Sequence, residues 1–191
     1  APFTAAMVQM RSGMNAANNI SEASRLIREA KAQGADYVLT PEMTNILVNK
    51  RADLMERIAP PESDAALAAF RALARELSIH LHIGSLAVRT SPDRAANRSF
   101  LIAPDGGILA TYDKIHMFDV DLAGGESYRE SNSYQPGEAA TLIDLPFARL
   151  GMTICYDLRF PALFRALAEA GATCLAVPAA FTKQTGQAHW H

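Results

Sequence analysis

Short apolar runs alternate with amphipathic helical segments along this chain, and that alternation limits its fold more than any other feature. "FTAAMVQM" (3–10), "ADYVLTPE" (35–42), "IHLHIGSLAV" (79–88) and "ATCLAVPAAF" (172–181) read as buried strands. "NAANNISEASRLIREAKAQG" (15–34) puts Ile20, Ala23, Leu26, Ile27 and Ala30 on one helical face and stops at Gly34. "SDAALAAFRALARELS" (63–78) does the same with Leu67, Phe70, Leu73 and Leu77, opened by a Ser63-Asp64 cap. A third helix, "PALFRALAEAG" (161–171), again ends on a glycine. Apolar helix faces need a sheet to cover, so the pattern predicts an α/β layered domain.

Antiparallel pairing enters twice. Ala-Pro-Asp-Gly-Gly at 103–107 turns "RSFLI" (98–102) into "ILATYDKI" (108–115), and "ATLIDL" (140–145) pairs with "RLGMTIC" (149–155) around Pro146-Phe147. Residues 116–137 are polar and read as one long loop, a length that marks either function or disorder. The 191 residues, with 49% hydrophobic and 20% charged, suit one domain spanning 1–191 with an ordinary core.

Charge and cysteine usage narrow the function classes. Eighteen basic against twenty acidic residues give a net charge of −2, so neither nucleic acid nor a membrane surface is expected as a partner. No apolar run approaches the roughly 20 residues of a membrane span. The opening residues carry no basic and apolar leader pattern. Cys155 and Cys174 make no disulfide framework, which points to free thiols in a reducing cytoplasm. His80 and His82, like His189 and His191, lie two apart without a third ligand at metal spacing, so no metal is expected.

Three residues fall at carboxyl ends of expected strands, where open α/β sheets bind ligands: Glu42, Lys114 and Cys155. Taken singly, each has a plain reading as a surface carboxylate, a solvated lysine or a packed thiol. Taken together they supply a carboxylate base, a cationic oxyanion donor and a nucleophile, the set that acyl transfer through a thioester requires. In "CYDLRFP" the helix expected from Pro161 would lower the pKa of the Cys155 thiol. Cys174, inside an apolar strand, reads as packing.

"TPEM" around Glu42, "YDKIHMFD" around Lys114 and "CYDLRFP" around Cys155 resemble the Glu-Lys-Cys signatures of the nitrilase superfamily of carbon–nitrogen hydrolases. "DVDLAGGESYRESNSYQPG" and "PAAFTKQTGQAHW" are most similar to the branch of omega-amidases and deaminated glutathione amidases. The resemblance implies an αββα sandwich whose C-terminal part is absent from this chain, since family members continue past "AHWH". It also implies a cofactor-free amidase, a homo-oligomer, acting on the terminal amide of a small carboxylate-bearing 2-oxo acid. N-carbamoyl-amine or nitrile hydrolysis on the same residues, or a non-catalytic binding protein of this fold, are the alternatives.

Under this resemblance Cys155 is the nucleophile, Glu42 the base, and Lys114 with the backbone N–H of Tyr156 the oxyanion donors. Glu130 matches a second glutamate that holds the lysine charged; read alone, it is a solvated loop acid. Related carbamoylases carry two adjacent arginines after the cysteine, where this chain has Leu158 and Arg159. Arg159 either grips a substrate carboxylate or pairs with Asp157 or a loop acid. Phe181 and Thr185 are expected to line the substrate pocket.

Overall fold

The computed structural model describes residues 2–122 and 125–190, with residues 188 and 189 described by backbone alone; His191 and the His189 side chain lie outside it. The alternation read from the sequence is present. It begins with β1 (Ala5–Met7), α1 (Ala16–Ala32), β2 (Tyr37–Leu39), α2 (Arg51–Arg57) and α3 (Ala65–Leu77). Next come β3 (His80–Ser91), β4 (Arg94–Ile102), β5 (Ile108–Asp113), β6 (Asp119–Asp121) and β7 (Ser127–Arg129). β8 (Thr141–Asp144), β9 (Arg149–Met152), α4 (Pro161–Glu169), β10 (Cys174–Ala176) and α5 (Lys183–His189) complete it.

Local chemistry fixes the helix ends. Asn15 caps α1 by accepting from the Asn18 N–H at 3.1 Å, and Asp64 caps α3 by accepting from the Leu67 N–H at 2.8 Å. Pro161 opens α4, where its missing N–H costs nothing. Gly34 and Gly171 follow α1 and α4 with φ of 91° and 92°, the left-handed geometry that ends a helix.

Five strands form one sheet in the order β1-β2-β3-β4-β5, parallel through β3 and antiparallel from β3 to β5. A second sheet, β10-β9-β8, is parallel between β10 and β9 and antiparallel between β9 and β8. One face of the large sheet carries Leu81, Ile83, Phe100 and Ile102 against Ile27 of α1 and Phe70 of α3. Its other face carries Tyr37, Leu101 and Tyr112 against Leu150, Met152 and Ile154 of the small sheet, with Leu163 and Leu167 of α4 in the same core. Each of these fully buried side chains contributes roughly 1.5–3 kcal/mol over leaving it in water. The layers therefore run helix, sheet, sheet, helix. Gly151 lets α4 close on the small sheet: a Cβ there would stand 3.1 Å from Leu167 and 2.8 Å from Leu175.

The sequence reading missed several elements. β4 starts at Arg94, so β3 and β4 form a long hairpin around Pro92-Asp93, and the strand read as 98–102 is only its second half. Residues 116–137 hold the β6–β7 hairpin and a 3-10 turn at Glu130–Asn132 instead of bare loop. α2 and α5 were not expected. At seven residues each, both are too short to show a clear apolar stripe.

Candidate active site

Each sheet delivers its residues through extensions of regular pairing. After β2 the chain stays against β3: Thr40 N–H donates to the His82 carbonyl at 3.0 Å, and Met43 N–H to Ser85 Oγ at 2.9 Å. The register of β3 shifts between Ile83 and Leu86, and Gly84 lies in that shift. A Cβ on Gly84 would meet the Thr40 carbonyl oxygen at 2.1 Å and Pro178 Cβ at 2.5 Å. Only a glycine there lets the segments bearing Glu42 and following β10 come together. Lys114 prolongs β5, its N–H donating to the Asn97 carbonyl at 3.0 Å. Cys155 follows β9 as the first residue of a 3-10 turn, Cys155–Arg159, and donates its N–H to the Pro178 carbonyl at 2.9 Å.

Two of the three non-glycine residues with positive φ among those described flank this chemistry: Cys155 at 49° and Met43, next to Glu42, at 55°. A non-glycine residue held there costs on the order of 1–3 kcal/mol, which the surrounding hydrogen bonds must offset. The strain turns the thiol out of the strand line.

Glu42, Lys114 and Cys155, 6%, 2% and 5% exposed, do meet. Lys114 Nζ donates to Glu42 Oε1 at 3.0 Å and to Glu130 Oε2 at 2.9 Å. The Ala180 N–H, from the segment after β10, donates to Glu42 Oε2 at 2.9 Å, and the Cys155 thiol lies close enough to the same carboxylate for each to shift the other's acidity. Glu130 also accepts from the Phe118 N–H at 2.7 Å. It is therefore an internal partner of the lysine and not a solvated acid.

One residue that the sequence reading passed over completes the net. Asn97 Nδ2 donates to Glu42 Oε1 at 2.9 Å and to Glu130 Oε1 at 3.1 Å. A polar residue at strand period beside the apolar positions of β4 was the available signal, but the strand was begun one residue too late to use it.

Electrostatics assign the protons. Burial alone would raise the Glu42 pKa, yet the Lys114 ammonium, the Cys155 thiol and hydrogen bonds from Lys114 and Asn97 prevail and lower it. Lys114 is likewise opposed by burial but held protonated by Glu42 and Glu130. Burial, then the Glu42 charge, pushes the Cys155 thiol well above its usual range. This corrects the expectation of a thiol acidified by a helix N-terminus. The resting pair is a neutral thiol beside an ionised carboxylate, the arrangement in which a general base has a proton to take.

A second carboxylate ties the elements together. Asp157 Oδ1 accepts from the His116 N–H at 3.0 Å and meets His116 Nδ1 at 2.7 Å. Its Oδ2 accepts from the Ile154 N–H at 2.8 Å and the Tyr112 hydroxyl at 2.7 Å. Tyr112 and His116 bracket Lys114, and Ile154 precedes Cys155. Asp157 thus staples the lysine strand to the cysteine turn.

The three residues open into a cavity of about 260 Å³ lined also by Glu130, Phe118, Tyr128, Arg129, Tyr134, Phe181 and Thr185. A larger depression of about 530 Å³, between Met7–Met10 and Val177–Phe181, holds none of the three. Phe181 and Thr185 are both in the lining of the smaller cavity. Tyr156 and Arg159 are not in the lining: the Tyr156 ring packs edge-on against Phe118 and Phe160, and Arg159 is exposed. Among the described residues the lining cations are Lys114 and Arg129. Arg129 sits on the β6–β7 hairpin, which the sequence did not show, and its guanidinium pairs with Asp121 at 2.7 Å.

Comparison with known proteins agrees with this geometry. The carbon–nitrogen hydrolase family model matches residues 4–191. The chain belongs to that family. It is 44% identical over 189 residues to deaminated glutathione amidase of Yersinia enterocolitica, covering 97% of this chain and 65% of that protein. Human omega-amidase NIT2 is 36% identical over 190 residues, with 98% of this chain and 67% of the relative covered. The crystal structure of the C. elegans NitFhit protein superposes with a TM-score of 0.88 at 30% identity, covering 98% of this chain and 46% of that one. The chain thus spans about two thirds of the length of the curated relatives it matches.

Proposed function

We propose that this chain carries an amidase site that hydrolyses the terminal amide of a small carboxylate-bearing 2-oxo acid through a thioester at Cys155. One observation carries the reading: a buried, ionised Glu42 stands beside the Cys155 thiol and accepts from the Lys114 ammonium at a cavity. Glu42 takes the thiol proton as Sγ bonds to the amide carbon. The carbonyl oxygen becomes an oxyanion, held by Lys114 Nζ and the backbone N–H of Tyr156. Glu42 returns the proton to the amide nitrogen, the C–N bond breaks, and ammonia leaves. Water, deprotonated by the same carboxylate, adds to the thioester; the C–S bond breaks, giving the acid and restoring the thiol.

The amidase names of the curated relatives support the reaction class, and their branch supports deaminated glutathione or 2-oxoglutaramate as substrate. For the substrate carboxylate, the role first considered for Arg159 passes to Arg129, which lines the cavity. Its guanidinium also donates to the Val120 and Tyr128 carbonyls, and its acidic partner Asp121 has a side chain 73% exposed, so that ion pair is screened by solvent. Two free cysteines support a reducing, cytoplasmic setting. Among the described residues no helix is long and apolar enough to cross a membrane. Met7 at 73% and Leu175 at 40% exposure, both on outermost strands, support a homo-oligomer.

The test is ammonia release across a panel: 2-oxoglutaramate, deaminated glutathione, a neutral aliphatic amide, an N-carbamoyl amine and a nitrile. The two 2-oxo acid amides should be the best substrates by at least about tenfold. Arg129→Ala should lower kcat/KM for them by about 10-fold or more, the scale of a lost charge-assisted hydrogen bond, and spare the neutral amide. Arg159→Ala should change both little. A preference for the carbamoyl amine or nitrile, or no turnover of any, would overturn the reading.

A further inference from the structure

We infer that Asn97 is a positioning residue of this site, whose single side-chain amide nitrogen holds Glu42 and Glu130 around one lysine and keeps Glu42 ionised. This inference rests on the proposed role of Glu42 as base. The geometry forms a closed ring. Lys114 Nζ reaches Glu42 Oε1 at 3.0 Å and Glu130 Oε2 at 2.9 Å, while Asn97 Nδ2 reaches Glu42 Oε1 at 2.9 Å and Glu130 Oε1 at 3.1 Å. Two carboxyl groups share one ammonium in a largely buried site, the Glu42 side chain 6% and the Glu130 side chain 12% exposed. Like charges at this range otherwise drive one carboxyl to hold its proton. A donor that carries no charge and cannot be deprotonated near neutrality removes that outcome without adding a second cation.

The molecule bears a cost to keep Asn97 in this orientation. Asn97 is fully buried, and its Oδ1 is the one buried side-chain nitrogen or oxygen among the described residues that lacks a hydrogen-bond partner. An orphaned buried acceptor is destabilising, and cores usually eliminate it. Reversing the amide would satisfy nothing, because Oδ1 would then face two carboxylate oxygens. The orphan is the consequence of committing Nδ2 to both acids. The alternation of β4 explains how the residue gets there: Asn97, Ser99 and Leu101 face the second sheet while Ala96, Phe100 and Ile102 face α1 and α3. The Asn97 carbonyl also accepts from the Lys114 N–H, so the same residue sets the lysine backbone. Other ionisable groups facing Glu42 are Cys155 and, from the segment after the 3-10 turn, Tyr134, whose hydroxyl burial keeps protonated.

The experiment reads the pH dependence of Cys155 alkylation by iodoacetamide, which needs no knowledge of the substrate. In the unaltered protein the rate should fall at acid pH as Glu42 is protonated. Asn97→Ala and Asn97→Leu differ in volume but share the loss of Nδ2, so both should move that acid limb upward by roughly one pH unit and lower kcat/KM about tenfold. A limb unmoved in the leucine variant would overturn the inference, even if activity fell. Should neither variant fold, the unaltered chain decides: the Asn97 side-chain N–H resonances, seen with labelled asparagine, should titrate with the midpoint of the acid limb. Resonances insensitive to pH through that range would overturn it. Glu42→Gln separates this idea from its foundation. If that variant keeps the limb, the base assignment falls and this inference with it; if it abolishes the limb while Asn97→Leu leaves it in place, only the role of Asn97 falls.

Discussion

Glu42 and Asp157 are both buried carboxylates between the two sheets, and each has four polar partners, yet they occupy opposite ends of a functional scale. Asp157 is held by two backbone N–H groups, an imidazole and a phenol whose acidity is suppressed by burial and by Asp157 itself. Two of its partners are amides that never yield a proton, so it serves as a fastener. Glu42 is held by one backbone N–H, an amide, an ammonium and a thiol. One of those, the thiol, can give up its proton and become a nucleophile. On the proposed reading, the acidity of the partners, not their number, separates a structural carboxylate from a catalytic one.

The most severe way to break this contrast is to remove the proton that Glu42 is proposed to take. Cys155→Ala should lower turnover by at least about 10⁴-fold with melting little changed, while Cys174→Ala, half-buried at the start of β10, should leave turnover intact. Equal loss in both, measured by ammonia release, would deny Cys155 its special place. Lys114→Met comes next. It removes an oxyanion donor and strands two carboxylates, so kcat should fall about 10²- to 10³-fold, and arginine, a planar fork, should not restore it. Near-normal kcat in Lys114→Arg would refute the role of a compact ammonium.

Asp157→Asn attacks the other carboxylate. An amide NH₂ would face N–H or O–H donors, so stability should drop by about 1–3 kcal/mol in urea unfolding, and activity should fall only through the loosened turn. An unchanged unfolding midpoint would show that the staple is ornamental.

The smallest effect sharpens the comparison with a third buried cluster, which is neutral. Ser99 Oγ donates to the Ile83 carbonyl, so His82 Nε2 donates to Ser99 and His82 Nδ1 accepts from the Tyr37 hydroxyl at 2.5 Å. Burial lowers the pKa of His82 to about 3. The unfolded chain binds a proton near pH 6.5, whereas the folded one does not until about 3, so stability is lost as pH falls through that window. The slope from His82 should reach roughly 1.4 kcal/mol per pH unit, and above the unfolded carboxylate range, near 4.5, His80, whose pKa burial also lowers, adds to it with the same sign. Denaturant titrations at pH 7 and pH 5 check this. A flat profile would mean that His82 is protonated in place.

Part of this protein was readable from its sequence, for a physical reason. α1, α3 and α4 announce themselves because apolar spacing, an N-cap or an N1 proline, and a following glycine where one is present are local properties that agree with one another. The turn at 103–107 and the β8–β9 pairing are likewise short-range. The motif residues Glu42, Lys114, Cys155 and Glu130 were legible through family resemblance, and their meeting, with the first three buried, could not be read from spacing. Asn97 and Asp157 lay unseen. An asparagine in a strand and an aspartate after a tyrosine have unremarkable local readings until 55 residues of chain bring Asn97 to Glu42, and 41 residues bring Asp157 to His116.

The sequence by itself determined the α/β alternation, the limits of α1, α3 and α4, and, through family resemblance, which glutamate, lysine and cysteine to look for. Tertiary structure alone decided the state of those groups. Composition near Cys155 suggested an acidified thiol, because a helix start lies close in sequence. Burial and the Glu42 charge reversed that, since a thiolate pays for desolvation and for a like charge, whereas a thiol does not. The cation in the cavity lining beside Lys114 is likewise Arg129, carried there by a hairpin closed by residues ten apart in its outer pair, Asp119 and Arg129. Identity is a property of the chain. Charge state and reach are set by what the fold brings within a few ångströms.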